Sequence, residues 1–214
     1  MNIPRLWPGE TIALIASGPS LKQVDINHMR GKYRVIAIND NYSLAPWADL
    51  LYACDASWWD LHQGCLSFAG ERWTQAYNPV LALKQPLEAE KQKKIIKKYG
   101  LKYVFGDHNP SISNDPRLIH YGHNSGFQAL NLAMHLGARR IILLGYDMKL
   151  DKSGKRHWFG EHPPQIAKNS NYKSFAAAFS EAASDILAAG VEVINCSRDT
   201  ALTCFVRANI EDIV

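Results

Sequence analysis

Several short stretches of this chain carry residue types able to act on a phosphate or a hydroxyl. Ser17-Gly18-Pro19-Ser20-Leu21 pairs a glycine, which lets a backbone approach closely, with a proline that fixes the turn and a serine suited to opening a helix. Backbone N–H groups in such a turn can cradle a phosphate, although a plain strand-to-helix corner uses the same residues. The turn matches neither the glycine-rich dinucleotide fingerprint nor a P-loop. Asn39-Asp40-Asn41 and, further on, Asp55 place short polar side chains where a base or ribose can be hydrogen-bonded, and the same residues also favour turns. His123-Asn124-Ser125-Gly126 opens a helical pattern, so the amides beside Ser125 and Gly126 can face an anion. Gly145-Tyr146-Asp147 follows a strand-like run. The segment His157-Trp158-Phe159-Gly160-Glu161-His162-Pro163-Pro164 offers two histidines as general base or leaving-group acid. Its spacing is not that of a zinc-binding helix, and no dedicated metal site is expected.

These residues need elements that bring them together, and the pattern supplies such elements. Continuous apolar runs at 11–16, 34–38, 50–54 and 140–144 are those of strands covered on both faces. Weaker strands are expected at 79–83 and 103–105, and a last one at 191–194. Helices are expected from Pro86 to a stop at Gly100, from Ser125 to Leu136 with Ser125 and Gln128 as a capping box, and from about Asn171 to Ala189. In the last of these, Tyr172, Phe175, Phe179, Ala182, Ile186 and Ala189 share one stripe. Strands interleaved with helices predict an α/β class: a doubly wound, mostly parallel Rossmann-like sheet with helices on both faces. In such sheets ligands bind beyond the carboxyl ends of the strands, where the polar stretches above fall. Long irregular segments at 106–122 and 146–170 are expected to lie over the site.

Composition bounds the rest. With 214 residues, 47% of them hydrophobic and 21% charged, the chain reads as one globular domain spanning 1–214. No apolar run reaches the ~18 residues of a membrane span, and no leader pattern is evident, so a soluble cytoplasmic protein is expected. The four cysteines form no CxxC pair and read as reduced thiols. Six lysines against two glutamates between 86 and 102 account for the whole net charge of +4. That helix face is either simply solvated or a docking face for an anionic partner; without interleaved aromatics, nucleic acid is the weaker choice. The aromatic-rich segment 58–77 is either core, a cover for an acceptor or a subunit contact, which leaves a homo-oligomer open.

The ordered set Ile15-Ala16-Ser17-Gly18-Pro19-Ser20-Leu21, Asn39, Ser125-Gly126 and Leu144-Gly145-Tyr146-Asp147 resembles one superfamily, with similarity running from about residue 11 to 205. It includes the bacterial CMP-sialic acid-dependent sialyltransferases, the motility-associated factors that glycosylate flagellin, and the archaeal hydroxymethylpterin pyrophosphokinase-like proteins. The chain most resembles a further, uncharacterised group of relatives within it that are often phage-encoded. The resemblance implies that Gly18, Pro19, Ser20 and Asn39 bind the CMP part of a donor, that Ser125 and Gly126 also contact it, and that Tyr146 acts on the departing phosphate. The sialyltransferases carry their histidine in a Gly-His-Ser segment; here the corresponding residues are Asn169-Ser170-Asn171-Tyr172, and His157 and His162 are the candidate substitutes.

Three functions follow as expectations. The first is a metal-independent glycosyltransferase-like enzyme that takes a CMP-sugar as co-substrate, holds no tightly bound cofactor, and inverts the sugar on transfer to a hydroxyl. Ser17, Gly18, Pro19, Ser20, Ser125 and Gly126 would hold the nucleotide, and a histidine of the 157–162 loop would take the proton. The second is Mg²⁺-dependent diphosphate transfer, with Asp55 and Asp147 as the carboxylates. The third is a nucleotide-binding phage accessory module without turnover.

Overall fold

In the computed structural model, which describes residues 2–167 and 170–213, the strands are β1 (Thr11–Ile15), β2 (Arg34–Ile38), β3 (Leu50–Tyr52), β4 (Glu71–Tyr77), β5 (Lys102–Asp107), β6 (Leu118–His120), β7 (Arg140–Leu144), β8 (Glu192–Asn195) and β9 (Val206–Arg207). The helices are α1 (Gln23–Asn27), α2 (Ala56–Leu61), α3 (Pro79–Lys84), α4 (Pro86–Tyr99), α5 (Ser125–Leu136) and α6 (Tyr172–Ala188). All described strands join one parallel sheet in the order β6-β5-β4-β3-β2-β1-β7-β8-β9. The fold is thus the α/β, Rossmann-like class that the apolar runs predict. The chain winds outward from β1 to β6, then crosses back to lay β7 on the other side of β1, so the winding order of the parallel strands reverses between β1 and β7. That reversal opens a crevice at the carboxyl ends of the two strands.

Alternation along the central strands splits the core in two. Ile12, Leu14, Ile36 and Ile38 pack with Phe127 and Leu130 of α5 and with Phe179, Ala182 and Ile186 of α6. Ala13, Ile15, Val35 and Ala37 face the opposite side and pack against Ile26 of α1, Trp58 and Trp59 of α2, and Tyr99 of α4. Both faces are covered, which is why these strands read as unbroken apolar runs. No helix among the described residues is long and apolar enough to cross a membrane.

Four expectations need correcting. Residues 79–83 are not a strand but most of α3, because Asn78 caps the Leu81 amide at 3.0 Å and Pro79 occupies the first turn. The segment 58–77 buries Trp58, Trp59 and Trp73 in the core, one of the readings given for it, but it also contributes β4, whose buried Thr74 and Gln75 hide the apolar signature. Gln92 donates to the Thr74 hydroxyl and the Gln75 carbonyl, which makes polar residues affordable there. The segment 106–122 holds the end of β5 and all of β6. Finally, α5 is capped by Asn124, whose side chain accepts from the Phe127 amide at 2.8 Å, so Ser125 is the first helical residue and Gln128 makes no capping box. Gln128 instead accepts from the Tyr52 hydroxyl at 2.7 Å.

Candidate nucleotide and transfer site

The β1–β7 crevice is built on two glycines. A Cβ at Gly18 would sit 2.4 Å from Asp147 Cγ and 2.5 Å from the Gly145 carbonyl, and one at Gly145 would sit 2.2 Å from the Ala16 carbonyl. Only glycine lets the two strand ends meet backbone to backbone. Gly18 then donates its amide to Gly145 O at 2.8 Å. Ser20 donates its amide and its hydroxyl to the two carboxylate oxygens of Asp147, at 2.7 and 2.8 Å. The Gly18 and Ser20 amides, expected to cradle a phosphate, are therefore spent on the β7 loop. Ser20 does not cap α1 either, which starts after Lys22. Pro19 and Ser20 lie outside the lining of the cleft described next. Burial pushes the Asp147 carboxyl up to about 6, only partly offset by the two Ser20 hydrogen bonds.

Beside this braced corner lies a cleft of about 380 Å³, within the ~300–1,000 Å³ of small-molecule sites. It gathers Ser17, Gly18, Asn39, Asp55, Ser125, Gly126, Tyr146, Asp147, His157 and His162 from elements far apart in sequence. A larger groove of about 650 Å³ lies at the amino ends of β7 and β8, lined by Arg139, Arg140, Glu192, Ile186, Leu187 and Val191 among others, away from the carboxyl ends where ligands of such sheets bind. Three of the six non-glycine residues with positive φ, namely Asn39, His123 and Met148, line the cleft, and strained backbone of this kind concentrates at functional sites.

The start of α5 forms one wall. The first amides of a helix lack intrahelical acceptors and carry the positive end of its dipole. Asn124 satisfies the third helical amide, Phe127, and leaves those of Ser125 and Gly126 at the wall. The Ser125 hydroxyl lies 3.0 Å from Cys54 Sγ. The buried Tyr146 hydroxyl donates to Gly126 O at 3.1 Å, which ties β7 to the first turn of α5 and directs that proton away from the cleft. Lys149 and Arg156 add two cations to the lining that the spacing arguments did not single out; they pair with Asp199 at 2.5 Å and Glu161 at 3.2 Å. Tyr172 and Phe175, assigned to the core stripe of α6, also line the cleft.

The other wall is the loop carrying both histidines. Trp158 fastens it, donating its amide to Ser17 O at 3.1 Å and its indole N–H to Asn41 Oδ1 at 2.8 Å. The buried Asn41 in turn donates to Ile15 O, Ser17 Oγ and Ile38 O, so it braces strand ends and leaves Asn39 at the cleft. His157 stacks on Phe159, and its ring centre is 4.7 Å from that of His162. Burial first, and His162 second, push the His157 imidazole down to about 4, so it is neutral at pH 7. Asn169 lies outside the described residues, while Ser170 and Tyr172 of the same segment reach the cleft. Among the described residues no three histidine, cysteine or acidic side chains sit together as a metal-binding group.

Two more residues stand behind this wall. His62 follows α2, and Asp40 sits in the 3₁₀ turn Asn39–Ser43. Trp58 stacks on His62 at 4.2 Å between ring centres and donates its indole N–H to Asp40 at 3.1 Å. The signal available in the sequence was the Trp58/His62 pair, four residues apart on one helical face just after Asp55.

Compared with known proteins, the chain matches no family model and no curated protein. Among solved structures it is similar to the sialyltransferase CstII from Campylobacter jejuni, described in complex with the substrate analogue cytidine 5'-monophosphate. The TM-score is 0.54 at 14% identity, covering 94% of this chain and 85% of that one. The likeness is one of fold.

Proposed function

We propose that the cleft binds a nucleotide-activated sugar, a CMP-sugar in the first instance, and transfers the sugar to a hydroxyl without a metal ion. The observation that carries this reading is the open start of α5: the first-turn amides of Ser125 and Gly126, without an acceptor among the described residues, share one cleft with Lys149, Arg156 and two histidines, at the switch point of the sheet. The shared fold of a sialyltransferase solved with CMP supports it. The donor phosphate lies on the Ser125 and Gly126 amides, with Asn39 and Asp55 toward the nucleoside. The acceptor oxygen attacks the sugar's anomeric carbon as the bond to phosphate breaks. A neutral histidine of the 157–162 loop receives the acceptor proton, and CMP departs with its new charge held by the amides and the two cations. Tyr146 contributes by holding Gly126 in place. The turn 17–20 acts as the frame of the site, with Ser17 and Gly18 at its edge.

A thermal-shift panel with CMP, CDP, UDP, GDP and ATP, each in EDTA and in Mg²⁺, separates the readings. A ligand at 100 times its dissociation constant adds about 2.7 kcal/mol, or roughly 5–10 °C for a chain of this size. Stabilisation by CMP in EDTA is expected. A response confined to ATP or GDP with Mg²⁺ would move the assignment to diphosphate transfer. That chemistry is less well served here, because both Asp147 oxygens are already bound by Ser20.

A further inference from the structure

Among the described residues, two buried ring nitrogens behind the cleft have no hydrogen-bond partner: Nε2 of His62 and Nδ1 of His162. Both lie beside one carboxylate. His62 Nε2 is 3.4 Å from Asp40 Oδ1, and His162 Nδ1 is 3.7 Å from Asp40 Oδ2. An unsatisfied buried polar atom is destabilising, and a closure of under an ångström converts both separations into hydrogen bonds. The neighbouring groups fit one arrangement of the protons. The Tyr42 hydroxyl lies 3.1 Å from His62 Nδ1, so a Tyr42 O–H donating there leaves the His62 proton on Nε2, facing Asp40. The Trp58 indole, which can only donate, already points at Asp40 Oδ2. Asp40 accepts only, so the nitrogen that His162 turns toward it must carry a proton as well.

We infer that Asp40 is a positioning residue, held from behind by His62 and Trp58, that keeps His162 as its Nδ1–H tautomer and so makes Nε2 of His162 the atom that takes the acceptor proton. The second half of this statement rests on the transfer reading above. His162 Nδ1 is sealed from solvent while the residue lines the cleft, so proton exchange with a bound acceptor runs through Nε2. When Nε2 takes the acceptor proton, the ring becomes an imidazolium whose Nδ1–H faces Asp40, and the carboxylate stabilises it without itself being protonated. His157 is held differently: it stacks on Phe159 and its ring bonds to the Ser17 backbone, while no carboxylate lies within ion-pair distance of it among the described residues.

The test is a long-range ¹H–¹⁵N spectrum of the histidine rings in the full ligand-free chain, on wild type, Asp40→Leu and His62→Phe. Wild type is expected to show His162 protonated on Nδ1. In Asp40→Leu no acceptor faces Nδ1, so the proton moves to Nε2; His62→Phe should give a mixture. An Nε2–H tautomer in wild type overturns the inference without recourse to any variant, and so does an unchanged tautomer in folded Asp40→Leu. If CMP-sugars turn over, Asp40→Leu should lower kcat by about 10²–10⁴-fold and leave CMP affinity within about threefold; wild-type kcat in that variant also overturns it. If the tautomer is as expected but no CMP-sugar turns over, the donor assignment fails and the Asp40–His162 pair stands.

Discussion

The two sides of the cleft hold their polar groups in opposite ways. At the β1–β7 corner the Gly18 and Ser20 amides, the Ser20 hydroxyl and both Asp147 oxygens are consumed by one another. At the start of α5 and in the 157–162 loop, the Ser125 and Gly126 amides, Lys149, Arg156 and the His162 ring face the cleft. The first region is a closed network whose product is geometry. The second is more open: Lys149 and Arg156 pair with Asp199 and Glu161, but the Ser125 and Gly126 amides have no acceptor among the described residues. A Gly-Pro-Ser turn at a strand end is therefore not itself a phosphate cradle here; it fixes how far apart the two walls stand.

The contrast can be broken from the closed side, where the largest effect is expected. Gly18→Ala drives a Cβ into the Gly145 carbonyl and the Asp147 carboxylate. It should cost about 3 kcal/mol, seen as a fall of roughly 6–12 °C in melting temperature; a loss under 2 °C would show that the corner gives way. Asp147→Ala strands the Ser20 amide and hydroxyl and should cost about 2 kcal/mol, with Asp147→Asn, which keeps one acceptor oxygen, falling between it and wild type in chemical denaturation.

The titration of the two regions differs in sign, which sharpens the comparison. His157 is pushed below its unfolded value, so the native state holds fewer protons than the unfolded one between about pH 6.5 and 4. Its contribution is complete above about pH 6.5 and is lost as pH falls toward 4. Asp147 is pushed up to about 6, so its burial penalises the native state most above that pH and is relieved on acidification. His157→Phe should therefore lose less stability than wild type between pH 7.5 and 5, by about 1–2 kcal/mol, whereas Asp147→Asn should lose more. Parallel pH profiles of melting temperature for all three proteins would remove the distinction. His62, lowered by burial, pulls in the same direction as His157 in every variant.

What was legible in the sequence follows from the same physics. Strands β1, β2 and β7 announce themselves because both faces are covered, and Gly100 and Gly137 mark helix ends in the left-handed conformation expected of such stops. Strand β4 is silent because Thr74 and Gln75 are inward yet satisfied by Gln92 and Tyr121. The Asn78-Pro79 pair, a cap and a first-turn proline, was overridden by the apolar run after it. At the site, local sequence was enough to nominate Ser125 and Gly126, as a helix start, and His157 and His162, as residue types in the long loop after β7. It could not reveal that Asp147 consumes Ser20, nor that His62 and His162 meet at Asp40, because no local spacing links those residues.

The central claim is that the open start of α5 holds the nucleotide phosphate, and one substitution isolates it. Ser125 is the first helical residue, and Asn124 before it is extended, at φ −155° and ψ 155°. Proline is accepted at such a position and removes only the amide hydrogen and the side-chain hydroxyl, the latter controlled by Ser125→Ala. Calorimetric titration of CMP in EDTA should give Ser125→Ala an affinity within about threefold of wild type, and Ser125→Pro a loss of about tenfold, the worth of one charge-assisted hydrogen bond. CMP binding to Ser125→Pro as tightly as to Ser125→Ala, with α5 intact by circular dichroism, would contradict the claim.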